Sequence, residues 1–473
     1  MTPAESTAVP GSLPRDGAAT RPPLQAAAGA ALVVSVAVAA MFALSVDRAA
    51  VFAAYVCFGA AGLLGARSGG TMAARIFLVV YGVAVVSAAL LYVFYQGRYG
   101  VPYWLGGSDE IHFEAMGKAF ADELGALDYG GIRRELVPAW HNSVGYIYLV
   151  GLLTKFGQLL GGEHTMVPRL FNASCLGVVA AGVHTLGLRL RLEPMTARVT
   201  ALVVGCLPLM VWTSVQTLRD VVVAMLFVVL VLVWTPDVRQ PEQRRPLLLA
   251  VLVTLLIVVA MVELRRAHAA VAALVAVVGF LAAGRSRFRL VWLLWLVVLG
   301  IGLGWLATRL SPILSADTAF FLWQAETYTS YRVEEVGGGL SAVVFQAPPP
   351  LGYVLRVLYA FASPIPIPGP NLDETWRDSG TIVHLMFLPF LLAGLGLAAK
   401  RTEWLVVLAA FAVLFVGMAM FTFQVRHIVQ YLPFAALIAA LGYERHRRWR
   451  DVVFAGVLGM LGAMAVLYFV LKG

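Results

Sequence analysis

Asp109 and Glu110 stand side by side after a Gly106-Gly107-Ser108 turn, in the first long polar gap of an otherwise apolar chain. Adjacent carboxylates just outside a bilayer are equipped to take a proton from an attacking hydroxyl. The same residues suit a helix N-terminus, where Ser108 or Asp109 caps and acids meet the positive end of the dipole. A helix does follow from the spacing: Phe113, Met116 and Phe120 share a face, with Glu114, Lys118 and Asp122 around it. Other ionisable residues gather where apolar runs end: Arg219-Asp220, then Glu263, Arg265, Arg266 and His268, then Arg426-His427. Such groups are costly at membrane depth unless paired or wet, so they often mark function. Snorkelling or ion pairing at span ends is the plain alternative. A phosphate-bearing lipid headgroup would give these cations a purpose.

The elements that must position these residues are membrane spans. Of 473 residues, 60% are hydrophobic and only 13% charged, against roughly 25% charged in soluble domains. The sequence predicts an all-α, polytopic transmembrane bundle. A flexible cytoplasmic tail covers 1–25 and a single bundle covers 26–473. Spans are expected at about 26–46, 49–66, 76–95, 170–190, 199–218, 220–235, 246–263, 267–284, 290–309, 380–399, 404–423, 428–443 and 451–471. Residues 143–160 are read as an interfacial helix, because that choice sorts the charges. Arg67, Arg75, Arg189, Arg191, Arg198, Arg285, Arg287, Arg289, Lys400, Arg401, Arg445, Arg447, Arg448 and Arg450 then share one side, the cytoplasmic one. Only Arg48, Arg219, Arg265, Arg266 and Arg426 occupy short loops opposite.

This places the N-terminus inside and two long loops, 96–169 and 310–379, outside. The second loop holds an interfacial or re-entrant piece at 351–363 and could act as a lid. The net charge of +9 is therefore a topology signal and no nucleic-acid footprint. The three cysteines lie in apolar runs and suggest no disulfide framework. No nucleotide-binding or zinc motif occurs in a suitable context.

Taken together, these pieces resemble the GT-C glycosyltransferase superfamily. Asp109-Glu110 followed by Phe113 is similar to its D-E-x-x-Y signature. His141-Asn142-Ser143 with Tyr146, Tyr148 and Phe156-Gly157 resembles its His-Pro-Pro and aromatic juxtamembrane helix. Arg169-Leu170 resembles the start of its next span, Leu207-Pro208 through Ser214 to Arg219-Asp220 its Pro…Ser…acid pattern, and Arg426-His427 with Tyr431-Leu432-Pro433 its late Arg-Tyr…Pro segment. Phe113 replaces the tyrosine, Asn142-Ser143 replaces the two prolines, and three spans precede the acidic loop where the family often has one.

The resemblance implies a GT-C-like fold and an enzyme of a bacterial cytoplasmic (inner) membrane, its active site facing outward. It would move a sugar to a hydroxyl on a glycan, lipid or protein from a polyprenyl-phosphate carrier, the donor that aminoarabinose transferases and protein O-mannosyltransferases use. Asp109 would be the general base of an inverting transfer, with Glu110 beside it. Arg426 would meet the carrier phosphate, backed by Arg219, Arg265 and Arg266. His141, His427 and Asp220 would line the substrate site, with ion pairing an equal role for Asp220. Membrane lipids are further partners. No cofactor is required; a divalent cation could join the carboxylates, but their spacing does not demand one. A lipid-linked oligosaccharide polymerase or ligase would use similar outer arginines. A flippase or transporter would carry paired charges within spans and repeat-related halves.

The topology is directly checkable. A cysteine replacing Gly130 should react with a membrane-impermeant thiol reagent in intact spheroplasts. Labelling only after the membrane is opened would reverse the assigned sides.

Overall fold

The computed structural model describes residues 23–105, 109–123, 143–235, 247–283, 340–348, 350–362, 372–421 and 425–472. Among the described residues the regular structure is entirely helical. The first part of the chain forms α1 (Pro23–Ser45), α2 (Ala49–Arg67), α3 (Thr71–Tyr99), α4 (Asp109–Glu123), α5 (Val144–Leu159), α6 (Met166–Arg189), α7 (Pro194–Cys206), α8 (Pro208–Ser214) and α9 (Asp220–Trp234). The remainder forms α10 (Leu247–Leu264), α11 (Arg266–Ala283), α12 (Leu340–Gln346), α13 (Leu351–Ala362), α14 (Leu372–Ala398), α15 (Leu405–Phe421), α16 (Ile428–Arg445) and α17 (Arg450–Lys472), with single 3-10 turns before α15, α16 and α17.

Six of these stretches are long and apolar enough to cross a membrane: α1, α2, α3, α6, α10 and Thr402–Met420. A seventh arises if α7 and α8, bent by 52° at their break, count as one span. Pro208 opens α8 there, and a proline cannot donate the hydrogen bond that would continue α7. The chain is an integral membrane protein. Each expected span that falls in the described residues lies on a helix, except that the one at 199–218 falls on the bent pair α7 and α8 and runs past its end, while the one expected at 290–309 lies outside them. α9, α11 and the Ile382–Ala398 part of α14 are apolar but shorter.

α6 is the centre of the bundle, with 89% of its apolar window buried, whereas α10 has 22% and turns most of its surface outward. α2, α3, α7 and α9 all pack on α6. Two polar groups inside this core are satisfied locally, Ser174 donating to the Phe58 carbonyl at 2.8 Å and Tyr81 to the Tyr55 carbonyl at 2.8 Å.

Two elements beside the spans bear on the site. α5 has 16 residues, about 24 Å of helix, short of the roughly 30 Å hydrocarbon core. It lies along α4, and the two cross where Gly117 meets Gly151. A Cβ at Gly151 would stand 2.9 Å from the Gly117 carbonyl and would also strike the Phe120 ring. Only small residues permit that approach. On either side of the crossing, Phe113 meets Tyr146 edge-on at 5.0 Å and Phe120 meets Tyr148 at 4.8 Å. The second element is α14, which begins at Leu372, ahead of the span expected from 380. Its first turns are polar, so the apolar run marks only the later part of the helix.

α3, α8, α10 and α15 end, and α4, α6, α9, α11 and α16 begin, at one end of the bundle. The arginine-rich turns lie at the other. There Arg189 donates to the Leu232 carbonyl at 2.5 Å, and Arg447 stands 3.8 Å from Glu193.

The crossing of α4 and α5 makes a specific demand. Gly151→Leu should force the two helices apart and lower the unfolding midpoint in detergent, at a cost of about 1–3 kcal/mol. Gly417→Leu, at a position with open space around the Cβ, should leave the midpoint unchanged.

Candidate functional site

The site is built on the loop between α8 and α9, and that loop is held from within the bundle. Asn172 of α6 donates through its amide to the Gln216 carbonyl at 2.7 Å and the Leu218 carbonyl at 2.9 Å, with the Tyr146 hydroxyl 3.2 Å from the same nitrogen. A buried amide in an apolar helix must find such partners, and here they are the backbone of residues 216–218. With the loop fixed, the Thr217 amide points at Glu110 and donates to Oε1 at 2.9 Å.

Glu110 also meets Arg169, in the first turn of α6. Arg169 donates to the same oxygen through Nε at 3.2 Å and Nη2 at 2.8 Å, and both side chains are buried, 0% and 3% exposed. Nη2 further reaches the Pro102 carbonyl at 2.5 Å. Burial raises the Glu110 carboxyl above its ordinary range; Arg169 opposes this and Glu114 adds to it. Glu114 lies one turn along α4, on the same face as Glu110. It accepts from Tyr103 at 2.8 Å, from Thr165 at 2.5 Å and from the Thr217 hydroxyl.

Asp109 turns the other way. Its Oδ2 stands 2.5 Å from Nη1 of Arg426, with the side chains 31% and 24% exposed. This pair lies at the rim, and the groups beneath it are closed off.

A second buried set joins α9, α11 and α16. Asp220 accepts from Arg265 at 3.3 Å and from Nε2 of Gln430 at 2.7 Å. Arg265 also reaches Nε2 of His427 at 3.0 Å, and His268 meets Oε1 of Gln430 at 2.6 Å. The donors are ordered by elimination, because a carboxylate only accepts and a guanidinium only donates. His268 donates to Gln430, Gln430 to Asp220, and Arg265 to both Asp220 and His427. Nε2 of His427 therefore accepts, which requires the neutral ring. Burial, followed by the charges of Arg265, Arg426 and Arg219, holds His427 well below the ordinary histidine range.

Arg219 bridges the two sets. It donates to the Ser143 hydroxyl and to the Leu264 carbonyl at 3.3 Å, and its guanidinium lies 6.0 Å over the Phe113 ring. Burial, followed by Arg265 and Arg426 against the pull of Asp220, brings its pKa down to about 9. It stays charged at neutral pH.

Of the residues singled out in the sequence, Asp109 and Arg426 come together, and so do Asp220, Arg265 and His427. Arg219 stands between the groups. Arg266 opens α11, half-buried, one position past Arg265. His141 lies outside the described residues. Sequence reasoning missed the parts played by Arg169, Glu114, Thr217, Asn172 and Gln430, while His268, singled out there, joins the Asp220 set through Gln430. For Arg169 a signal existed: an arginine immediately before a long apolar run needs a partner. Among the described residues, no three of His, Cys, Asp and Glu converge to hold a metal ion.

No protein-family model matches this chain, and neither the curated proteins nor the solved structures contain a match.

The buried pair can be dissected by substitution. Arg169→Met, which leaves Glu110 without its counter-charge, should destabilise the fold by about 3–5 kcal/mol. Glu110→Gln with Arg169→Met should recover much of that loss, since no buried charge is then left alone. Thermal unfolding of the three proteins in one detergent reads out the difference.

Proposed function

We propose that the chain is a membrane glycosyltransferase of GT-C type. It transfers a sugar from a polyprenyl-phosphate carrier to an acceptor hydroxyl, with inversion at the anomeric carbon. The observation that carries this reading is the contrast between rim and floor. Asp109 and Arg426 are partly open to the outside, while Glu110 and Asp220 are 3% exposed and already engaged. An acceptor hydroxyl can reach the Asp109 carboxylate, and a phosphate can reach Arg426.

The chemistry follows from that pair. The donor phosphate draws Arg426 away from Asp109, leaving a carboxylate free to accept a proton. As the acceptor oxygen attacks the anomeric carbon, its proton passes to Asp109. The bond from that carbon to the phosphate oxygen breaks, and the electron pair leaves on the phosphate. The leaving group is a stable anion, so it needs no general acid; Arg426 stabilises the charge developing on it, with Arg219 behind. Glu110 is then a positioning residue, fixing the helix start on which Asp109 sits.

In this reading the bundle has thirteen spans in a bacterial cytoplasmic membrane. The N-terminus is cytoplasmic and the site end faces outward. The positive-inside distribution supports that orientation, because the arginine-rich turns occupy the opposite end.

The test is sugar transfer in membranes at matched protein levels. Asp109→Asn keeps the shape and capping ability of the residue but cannot take a proton, and should lose about a hundredfold or more in rate. Arg426→Ala should weaken donor use by roughly 1.5–3 kcal/mol, the scale of one charge-assisted contact. Near-normal transfer by Asp109→Asn would remove the proposal.

A further inference from the structure

At the end of the bundle away from Asp109, a cavity of about 410 Å³ opens between α7, α14, α16 and α17. That is the size range of small-molecule sites, roughly 300–1,000 Å³. Its wall is mostly apolar, broken by Thr196, Thr200 and His384, and the trough exists because α16 presents Ala435, Ala436, Ala439 and Ala440 to it. Along α16 it runs from Glu444 to Leu432, about 18 Å at 1.5 Å per residue. That matches one leaflet, roughly half of a 30 Å hydrocarbon core.

The mouth differs in chemistry from the wall. Two cations, Arg447 and Arg450, and two anions, Glu193 and Glu444, line it together. Arg447 lies 3.8 Å from Glu193, both largely exposed, Arg450 donates to Asp451 at 3.1 Å and to the Tyr443 hydroxyl at 3.3 Å, and Glu444 accepts from the Glu193 amide at 2.6 Å. Exposed pairs of this kind hold one another weakly and exchange readily for a ligand's charges. A mouth of one sign would suit a purely anionic headgroup. A mouth carrying both signs over an acyl-length groove suits a headgroup with a phosphate and a primary ammonium.

We propose that this groove binds one chain of an aminophospholipid from the leaflet at the arginine-rich end. The phosphate lies against Arg447 and Arg450, and the ammonium lies between Glu193 and Glu444. The site is separate from the Asp109 rim and does not depend on what reaction occurs there.

The experiment is native mass spectrometry of the full chain, delipidated in detergent and titrated with phosphatidylethanolamine or phosphatidylglycerol of identical acyl chains. Phosphatidylethanolamine should be retained about tenfold more tightly, the ratio expected of one added polar contact. Glu193→Gln with Glu444→Gln should abolish that preference to within about twofold while lipid binding persists, an outcome that unfolding cannot imitate. Ala436→Phe, which fills the trough, should reduce retention of both lipids without lowering the unfolding midpoint. If the midpoint falls, Arg447→Ala with Arg450→Ala at the exposed mouth replaces it and should likewise weaken both lipids. Equal or tighter binding of phosphatidylglycerol by the unaltered chain would overturn the headgroup assignment. Retained selectivity in the glutamine variant would do the same. Retention of neither lipid would mean that another part of the chain fills the groove, and would overturn the proposal as a whole.

Discussion

The site end depends on one buried contact, that between Glu110 and Arg169. Taking two charges out of water is expensive, and their attraction repays the cost only when the remaining hydrogen bonds are good. Here Thr217 and the Pro102 carbonyl supply two of them, while Oε2 of Glu110 and Nη1 of Arg169 are buried without a hydrogen-bond partner among the described residues. That requirement draws four separate stretches to one point: the turn after α3, the start of α4, the start of α6 and the loop before α9. Without the pair, α4 would be a short amphipathic helix held by its face against α5 and by the hydrogen bonds of Glu114. With it, the helix start is fixed in position and direction.

The direction has a stereochemical result. Asp109 and Glu110 are adjacent on a helix, so they are about 100° apart around its axis. Once Glu110 is committed inward and Glu114 follows it on the same face, Asp109 must project toward the rim. Two neighbouring acids of similar chemistry thereby acquire different surroundings, one closed and paired, the other accessible and opposite an arginine that is itself partly open.

The helices were legible from apolar runs because lipid imposes the same simple rule on every span. Polar extensions of helices were not, and α14 shows why: its first turns carry no apolar signal. The ionisable residues at span ends were legible as a set, since each is expensive where it stands. Their partnerships were not. Asp109 and Arg426 are far apart in the chain, and the sequence contains nothing that pairs Arg426 with Asp109 in preference to Asp220. The neutral state of His427 was equally hidden, because it follows from the order of donors in a network assembled from three helices. Asn172 shows the reverse case. A lone asparagine in a span is visible in the sequence, but what it holds can be known only from the path of the loop beside it.

That asparagine sets where variation can enter this protein. The floor of the site hangs from α6 by side-chain bonds made inside the bundle, and Thr217 in turn bonds Glu110 and Glu114 of α4. A substitution at Asn172 therefore reaches the Glu110 and Glu114 carboxylates through residues 216–218 without touching either.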